Sequence, residues 1–507
     1  MEFLPNNSVM VNECVYDDRD ERPIDGDFLL PEYCPDIAAV LKCNVTPYIQ
    51  SRQLSADRLT AEGTVSIRVL YLDEERKNVR VCEFSQPFTS MFTLKNGVGT
   101  MPTYTLDTAV EYVNCRATSP RRLDIHGAFS IHLRLCCATA VPLLTDVNDD
   151  GLFVRRKDMM SSVPMAVAEK SFTINEVLDI GSRAPVETLL RTACGIQTEP
   201  PRIMGGKLVL KGVLCLKNIY LTAGDESDTE QVTHEIPFSQ LFDAEGLEDE
   251  LLCCVDMSVA AQDIRITPNQ AGENTLLTVS IKVNASVCGY RTTPQAVLTD
   301  AYSAKCPVQQ ETRTVSFENI CAQDITRHTV KETVDLPAES VDKVLDVWTE
   351  LSPPNYRMTV TGGVIEGHIQ MFMLARDKDG QVGYYERTAE YTLPCQSQKG
   401  TVKAKTCVLR TDFSQNGSKL EVRVDILLTC QWVESQSISC LTKISADESV
   451  AYPPRRTALK LYYADEGESL WEIAKCCRTS VESIMAENNL DEDVLVKNCM
   501  LIIPVCG

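Results

Sequence analysis

The chain has 507 residues, room for three to four domains at roughly 150 residues each, each large enough to bury its own core. Asp and Glu number 71 against 49 Lys and Arg, a formal net charge of −22, which argues against nucleic acid or anionic lipid as the main partner because both need basic patches. The hydrophobic share of 44% with 24% charged residues excludes an intrinsically disordered chain.

The 22 cysteines are the compositional oddity. The opening MEFLPNNSVMVNECVYDDRDE has neither a basic n-region nor an apolar core, so no export signal is expected. No run approaches the about 18 apolar residues of a membrane span. The thiols are therefore expected to be reduced and intracellular, many of them as small apolar core residues. No C-x-x-C occurs, and the doublets Cys136/Cys137, Cys253/Cys254 and Cys476/Cys477 lack zinc-ribbon spacing, so no structural metal is expected.

After an N-terminal segment (1–26), three stretches resemble one another: 27–142, 171–299 and 325–447. Each is expected to open with a short helix, because the apolar residues of Pro35–Cys43, Pro185–Ala193 and Ser340–Trp348 have helix-like spacing. A strand follows each: RLTAEGTVSIRVLYL to Leu72, KLVLKGVLCLKNIYL to Leu221 and MTVTGGVIEGHIQMFML to Leu374, with Gly63, Gly212 and Gly363 at matching places about 150 residues apart. Next come VCEFSQPF to Phe88, THEIPF to Phe238 and YYERTAEY to Tyr391. Asp379-Gly380, between two alternating runs, predicts a hairpin. Late strands start at Leu123, Leu276 and Leu420. In the last, Leu420, Val422, Val424 and Ile426 share one face, and Glu421, Arg423 and Asp425 the other, so each is half-buried. This pattern predicts a mainly β fold of three sandwich-like domains. Polar, loosely patterned connectors fall at 143–170, 300–324 and 448–457, the last stiffened by Pro453-Pro454.

The segment 458–507 is of another kind. LKLYY predicts a strand from Leu459. Ser469 with Glu472 and Thr479 with Glu482 read as capping boxes opening two helices. Leu470, Ile473, Ala474 and Cys477 form one apolar stripe, and Val481, Ile484 and Met485 another. MLIIPV closes the order strand, helix, helix, strand.

These residues carry a resemblance. EGESLWEIAKCCRTSVESIMAENNL with NCMLIIP resembles a LysM domain through Gly467, Ser469, Leu470, Trp471, Ile473, Ala474, Asn488, Asn489, Leu490, Leu501, Ile503 and Pro504. The resemblance implies a βααβ fold and binding of N-acetylglucosamine-containing glycans in a groove between two loops. Here those loops are Asp465, Glu466, Gly467, Glu468, Ser469 and Leu470, and Asn488, Asn489, Leu490 and Asp491. Departures from the family pattern are Glu468 in place of Asp, and Arg478 and Asn498 in place of glycines. Four basic against nine acidic residues between Leu459 and Gly507 favour a protein-docking surface over a sugar site.

FLLPEYCPDIAAVL (Phe28–Leu41) resembles the opening of SPOCS domains of clostridial spore-coat-associated proteins through Pro31, Pro35, Asp36, Ile37, Val40 and Leu41; Pro337 and Val344-Leu345 echo it. SPOCS repeats with a C-terminal LysM are the arrangement of SipL-type spore morphogenetic proteins. The resemblance implies a non-enzymatic scaffold in the mother-cell cytosol, at the forespore surface, docking through LysM on the morphogenetic ATPase that encases the forespore. The alternative it carries is a peptidoglycan-binding protein of the cortex or wall.

No catalytic, cofactor or metal residues are expected. DVNDDG (Asp146–Gly151) copies half a calcium loop, but its twelfth position is Lys157 rather than Glu, so a plain turn is expected. His126 and His132, on the polar face of one strand, are expected to be solvated. His234-Glu235 lacks the second His of H-E-x-x-H, and neither a G-x-S-x-G nor a phosphate-cradling glycine loop occurs. Cys477 is expected to pack in the core rather than act with Cys476 as a redox pair.

Overall fold

A computed structural model describes residues 2–504 apart from 77, 96, 150, 205, 225–227, 244–245, 247, 249, 337–340, 361, 397–398 and 454–458. Asp150, Pro337 and the end of the third connector therefore lie outside the described residues. Strand covers 76% of the chain, and the two helices both lie in the C-terminal module.

Each repeat is built on six long strands; the short strands Arg202–Met204 and Asn355–Thr359 add to the second sheet of the second and third repeats, and Glu2–Phe3 pairs with the last long strand of the third. The first comprises β1 (Asn7–Leu29), β2 (Ala39–Leu54), β3 (Arg58–Leu72), β4 (Val79–Thr93), β5 (Thr100–Ser119) and β6 (Arg122–Leu143). The second comprises β7 (Leu152–Asp179), β8 (Val186–Thr198), β9 (Lys207–Thr222), β10 (Thr229–Asp243), β11 (Leu252–Thr267) and β12 (Leu276–Ser303). The third comprises β13 (Val308–Asp335), β14 (Val341–Leu351), β15 (Gly362–Asp377), β16 (Val382–Cys395), β17 (Thr401–Asn416) and β18 (Lys419–Ala446). In every repeat the first, sixth and fifth strands form one antiparallel sheet with the sixth central, and strands two to four form the other with the third central. Alternating side chains of both sheets meet between them. Ile24, Leu123 and Ile125 pack with Leu59, Val65 and Ile67 in the first repeat, and Val422, Val424 and Ile426 with Ile365 and Ile369 in the third.

The three opening helices expected from spacing are strands β2, β8 and β14. Each carries a bulge: opposite Leu70/Tyr71 in β2, Ile219/Tyr220 in β8, and between Val344 and Asp346 in β14. A bulge inserts one residue and flips which face the following side chains point to. A strand buried on both faces then acquires an i, i+3 spacing. Val344 and Val347 point into their own sandwich, while Leu345 and Trp348 point outward to a second core.

That second core joins the repeats. Leu70 and Leu72 of β3, Ile219 and Leu221 of β9, and Phe372 and Leu374 of β15 meet with Leu190, Leu345 and Trp348 around a pseudo-threefold axis. The stretches 143–170 and 300–324, read from sequence as connectors, contain the first halves of β7 and β13. These halves leave their own sandwich and pair with the ends of β12 and β18. Only alternate side chains there are apolar and bulges break the alternation, so the pattern looks loose. Val9, Val11, Met159, Val297, Val315, Phe317 and Ile438 form a further axial cluster from all three repeats. Backbone bonds tie the first repeat to both others here: Leu144 N–H donates to Leu441 C=O (3.0 Å), and Leu298 N–H donates to Leu144 C=O (3.1 Å).

The third repeat's equivalent glycine is Gly367, not Gly363. Gly63 pairs with Phe88, Gly212 with Phe238 and Gly367 with Tyr391. A Cβ on each would come within 2.6 Å, 2.5 Å and 2.6 Å of the aromatic side chain lying across it, so glycine at these three sites makes room for a cross-strand ring.

Candidate functional site

The repeats meet through ion pairs as well as apolar side chains. Arg191 donates to the Asp346 carboxylate (3.0 and 3.3 Å), both side chains being buried, and the guanidinium lies 5.1 Å from the Trp348 ring centroid. Arg80 donates to Glu187 (2.8 Å), tying the first repeat to the second, and Arg134 pairs with Glu318, tying the first to the third. On the axis Lys405 donates to Asp107 (2.6 Å) and Asp256 (3.3 Å). These three residues hold equivalent places in β5, β11 and β17. Burial acts against the Lys405 charge, but the two carboxylates outweigh it and raise its pKa. The triad lies beside a 530 Å³ cavity lined by all three repeats, including Tyr48, Cys194 and Glu350. Its charges are paired among themselves.

The other candidate is the C-terminal module: β19 (Leu459–Ala464), α1 (Leu470–Cys477), α2 (Val481–Asn488) and β20 (Cys499–Pro504), with β19 and β20 antiparallel. Ser469 caps α1, its Oγ accepting from Trp471 N–H (3.2 Å). The cap of α2 is Ser480, one residue after Thr479, and its Oγ accepts from Ser483 N–H (3.0 Å). Arg478 and Asn489 end the helices in the left-handed conformation (φ 51° and 50°). Cys477 is fully buried in the helical core and Cys476 is exposed.

Within the first groove loop, Asp465, Glu466 and Gly467 are exposed and Leu470 is buried. Glu468 is committed to the fold: Tyr462 Oη donates to it (3.2 Å), and so does Asp465 N–H (3.1 Å). Asn498 Oδ1 accepts from Glu466 N–H (2.7 Å). Backbone bonds from Gly467 to Leu495 (2.8 Å) and from Leu470 to Asp493 (2.7 Å) bring this loop to 493–495, just beyond Asn488–Asp491. In the second loop Asn488 is turned inward. Its amide donates to Ile484 C=O (2.8 Å) and Ile502 C=O (2.7 Å), and its Oδ1 accepts from Ile502 N–H (2.7 Å). Asn489 and Asp491 are exposed and Leu490 packs partly on the core.

The module is seated on the second repeat. Trp471 Nε1 donates to Asp300 (2.8 Å), and Lys475 donates to both oxygens of the same carboxylate (2.7 Å each). Burial pushes the Asp300 carboxyl up, but hydrogen bonds from Lys475, Trp471 and Gln310 outweigh this and hold it below the usual range. The Tyr302 ring stands edge-on to Trp471 (centroids 4.9 Å) and stacks on Phe153 (5.0 Å), and its hydroxyl donates to Thr479 C=O (2.7 Å). Arg478 lies 3.4 Å over the Tyr452 ring. Sequence reasoning missed this seat, because its two halves are 171 residues apart.

Elsewhere, Asp146 is engaged by Arg156, and Asp149 Oδ1 accepts from Gly151 N–H (2.7 Å). His126, exposed as expected, contacts Asp25 across the ladder and Asp124 on its own strand (2.8 Å each), and His132, half-exposed, contacts Asp17 on the neighbouring strand (2.7 Å). The Asp25 hydrogen bond and the Asp124 charge raise the His126 pKa. Among the described residues no group of three His, Cys, Asp or Glu is placed to hold a metal, and no helix is long and apolar enough to cross a membrane.

No curated protein and no solved structure matches the chain. Residues 36–118 and 185–267, which span β2 to β5 and β8 to β11, both match the family described as SipL, SPOCS domain. The two matches fall at equivalent places in the first and second repeats, and they support a SipL-type protein with a sporulation-related role.

Proposed function

We propose that this chain is a non-enzymatic scaffold of spore envelope assembly, acting in the mother-cell cytosol at the forespore surface. Its repeats form the body, and its LysM-like module docks on the morphogenetic ATPase that encases the forespore. The observation that carries this reading is the seating of the module. Helix α1 is turned onto the second repeat through Trp471 and Lys475, while the opposite side of the module faces solvent. Several of the body's charged side chains, among them Arg191, Arg134 and Lys405, join one repeat to another.

The glycan groove is less well served. Asn488 and Glu468 already satisfy the module's own backbone and Tyr462, and the rim they leave is acidic. A pull-down of the ATPase from sporulating cells, with the full chain and with Leu459–Gly507 deleted, tests the reading. Recovery with the full chain alone is expected, and unchanged recovery after deletion overturns the docking role. Calorimetry with chitin oligomers tests the sugar alternative, and no heat at millimolar sugar is expected.

A further inference from the structure

We infer that the docking surface of the module is the outer face of its two-stranded sheet, and that its occupant is a protein patch with an apolar centre and a rim of Lys and Arg. This rests on the scaffold reading above and locates the contact within the module. In β19, Tyr462 and Ala464 point toward the helices, where they join the module core. Leu461 and Tyr463 alternate with them and point outward, 51% and 80% exposed. Across the ladder Tyr463 faces Met500, 51% exposed, and Leu461 faces Ile502. Two adjacent cross-strand pairs thus build a four-residue apolar patch that no described element covers. Val496, 73% exposed, lies on the loop leading into β20. Single exposed apolar side chains occur on the repeats too, but a registered patch of four left in water marks an interaction site.

The charges select the occupant. Of the module's four cations, Lys475 is spent on Asp300 and Arg478 on Tyr452, and Lys460, on the helix-facing side of β19, donates to Cys477 Sγ (3.4 Å). The outward surface is left with Lys497 against exposed Asp465, Glu466, Asp491 and Glu492. An acidic rim around an apolar centre steers a basic partner and repels a second copy of this acidic chain.

The test uses the purified full chain, the Tyr463→Ser/Met500→Gln double variant, and the purified forespore-encasing ATPase in a direct binding assay. Trp471 fluorescence and circular dichroism report folding; both substituted side chains are exposed, so the module is expected to stay folded and seated. The expected result is wild-type binding that weakens as salt rises, with at least about tenfold weaker binding by the variant. If the variant binds as wild type does, the face is wrong while the scaffold reading stands. If the wild-type chain does not bind the ATPase, both fail. If the variant instead loses chitin-oligomer binding or self-association, the occupant is a glycan or a second copy, and this inference is overturned.

Discussion

The three-repeat body and the C-terminal module handle the same problem, an apolar surface that one unit cannot cover, in opposite ways. In the body, β3, β9 and β15 turn Leu70 and Leu72, Ile219 and Leu221, and Phe372 and Leu374 away from their own sandwiches, and the repeats bury them against one another. In the module, Leu461, Tyr463 and Met500 are turned out from a smaller core and stay in water. The polar groups follow suit. Arg191–Asp346 is buried between repeats, whereas the module's polar ties to the body centre on Asp300 and Tyr302. The difference teaches which part is built to stay together and which is built to meet something else.

The strongest way to break the comparison is to empty the axis. Trp348 stacks on Phe372 (5.5 Å) within the axial cluster. Trp348→Ala is expected to cost about 4 kcal/mol of body stability, read as a lower urea midpoint. Asp346→Ala strands the Arg191 charge in a buried site and should cost about 3 kcal/mol. Arg191→Met with Asp346→Leu should recover most of that, since removing both charges also removes the desolvation penalty. A double-mutant cycle in urea checks it.

Alkali should act on the body next. Burial pushes the thiols of Cys82, Cys194, Cys254, Cys288 and Cys430 up to about 12. Their folded pKa values lie above the unfolded value near 8.5. The stability linked to them is therefore fully present below about pH 8.5 and falls as pH rises toward 12. Lys217 opposes this: burial lowers its pKa to about 8, so its contribution rises between pH 8 and about 10.5. Five thiols against one amine predict a net fall in urea midpoint from pH 8 to pH 10.

The smallest effect should sharpen the comparison by undocking the module. Asp300→Ala removes the acceptor of Trp471 and Lys475 and is expected to cost about 2 kcal/mol of docking with the body's urea midpoint unchanged. Greater iodide quenching of tryptophan fluorescence reads it. In wild type the Asp300 carboxyl is held low. Its contribution is present above about pH 4 and is lost as pH falls through the lowered value. Quenching should therefore rise on acidification, and Asp300→Ala should remove that step.

Much of the architecture was legible because alternation survives where one strand face is wet. Leu420, Val422, Val424 and Ile426 are fully buried as their spacing predicts, and Gly380 takes the left-handed turn (φ 79°) between β15 and β16. Asp425, on the expected polar face, is buried instead, because Arg327 (2.7 Å) and Thr329 (2.6 Å) donate to it. The opening strands were not legible, since bulges in doubly buried strands imitate helical spacing. The third repeat's glycine was not legible either, since Gly363 and Gly367 stand four apart and only ring placement tells them apart. The module's elements followed from caps and stripes. Its seat and outer patch did not, since the seat pairs residues 171 apart and the patch is defined by what fails to cover it.

The most direct test is hydrogen–deuterium exchange on the full chain with and without the forespore-encasing ATPase. Slower exchange in Leu459–Ala464 and Cys499–Pro504, with α1 and the axial strands unchanged, is the predicted result. Protection confined to α1 or to the repeats, or none anywhere, would contradict a module seated by one side and recognised by the other.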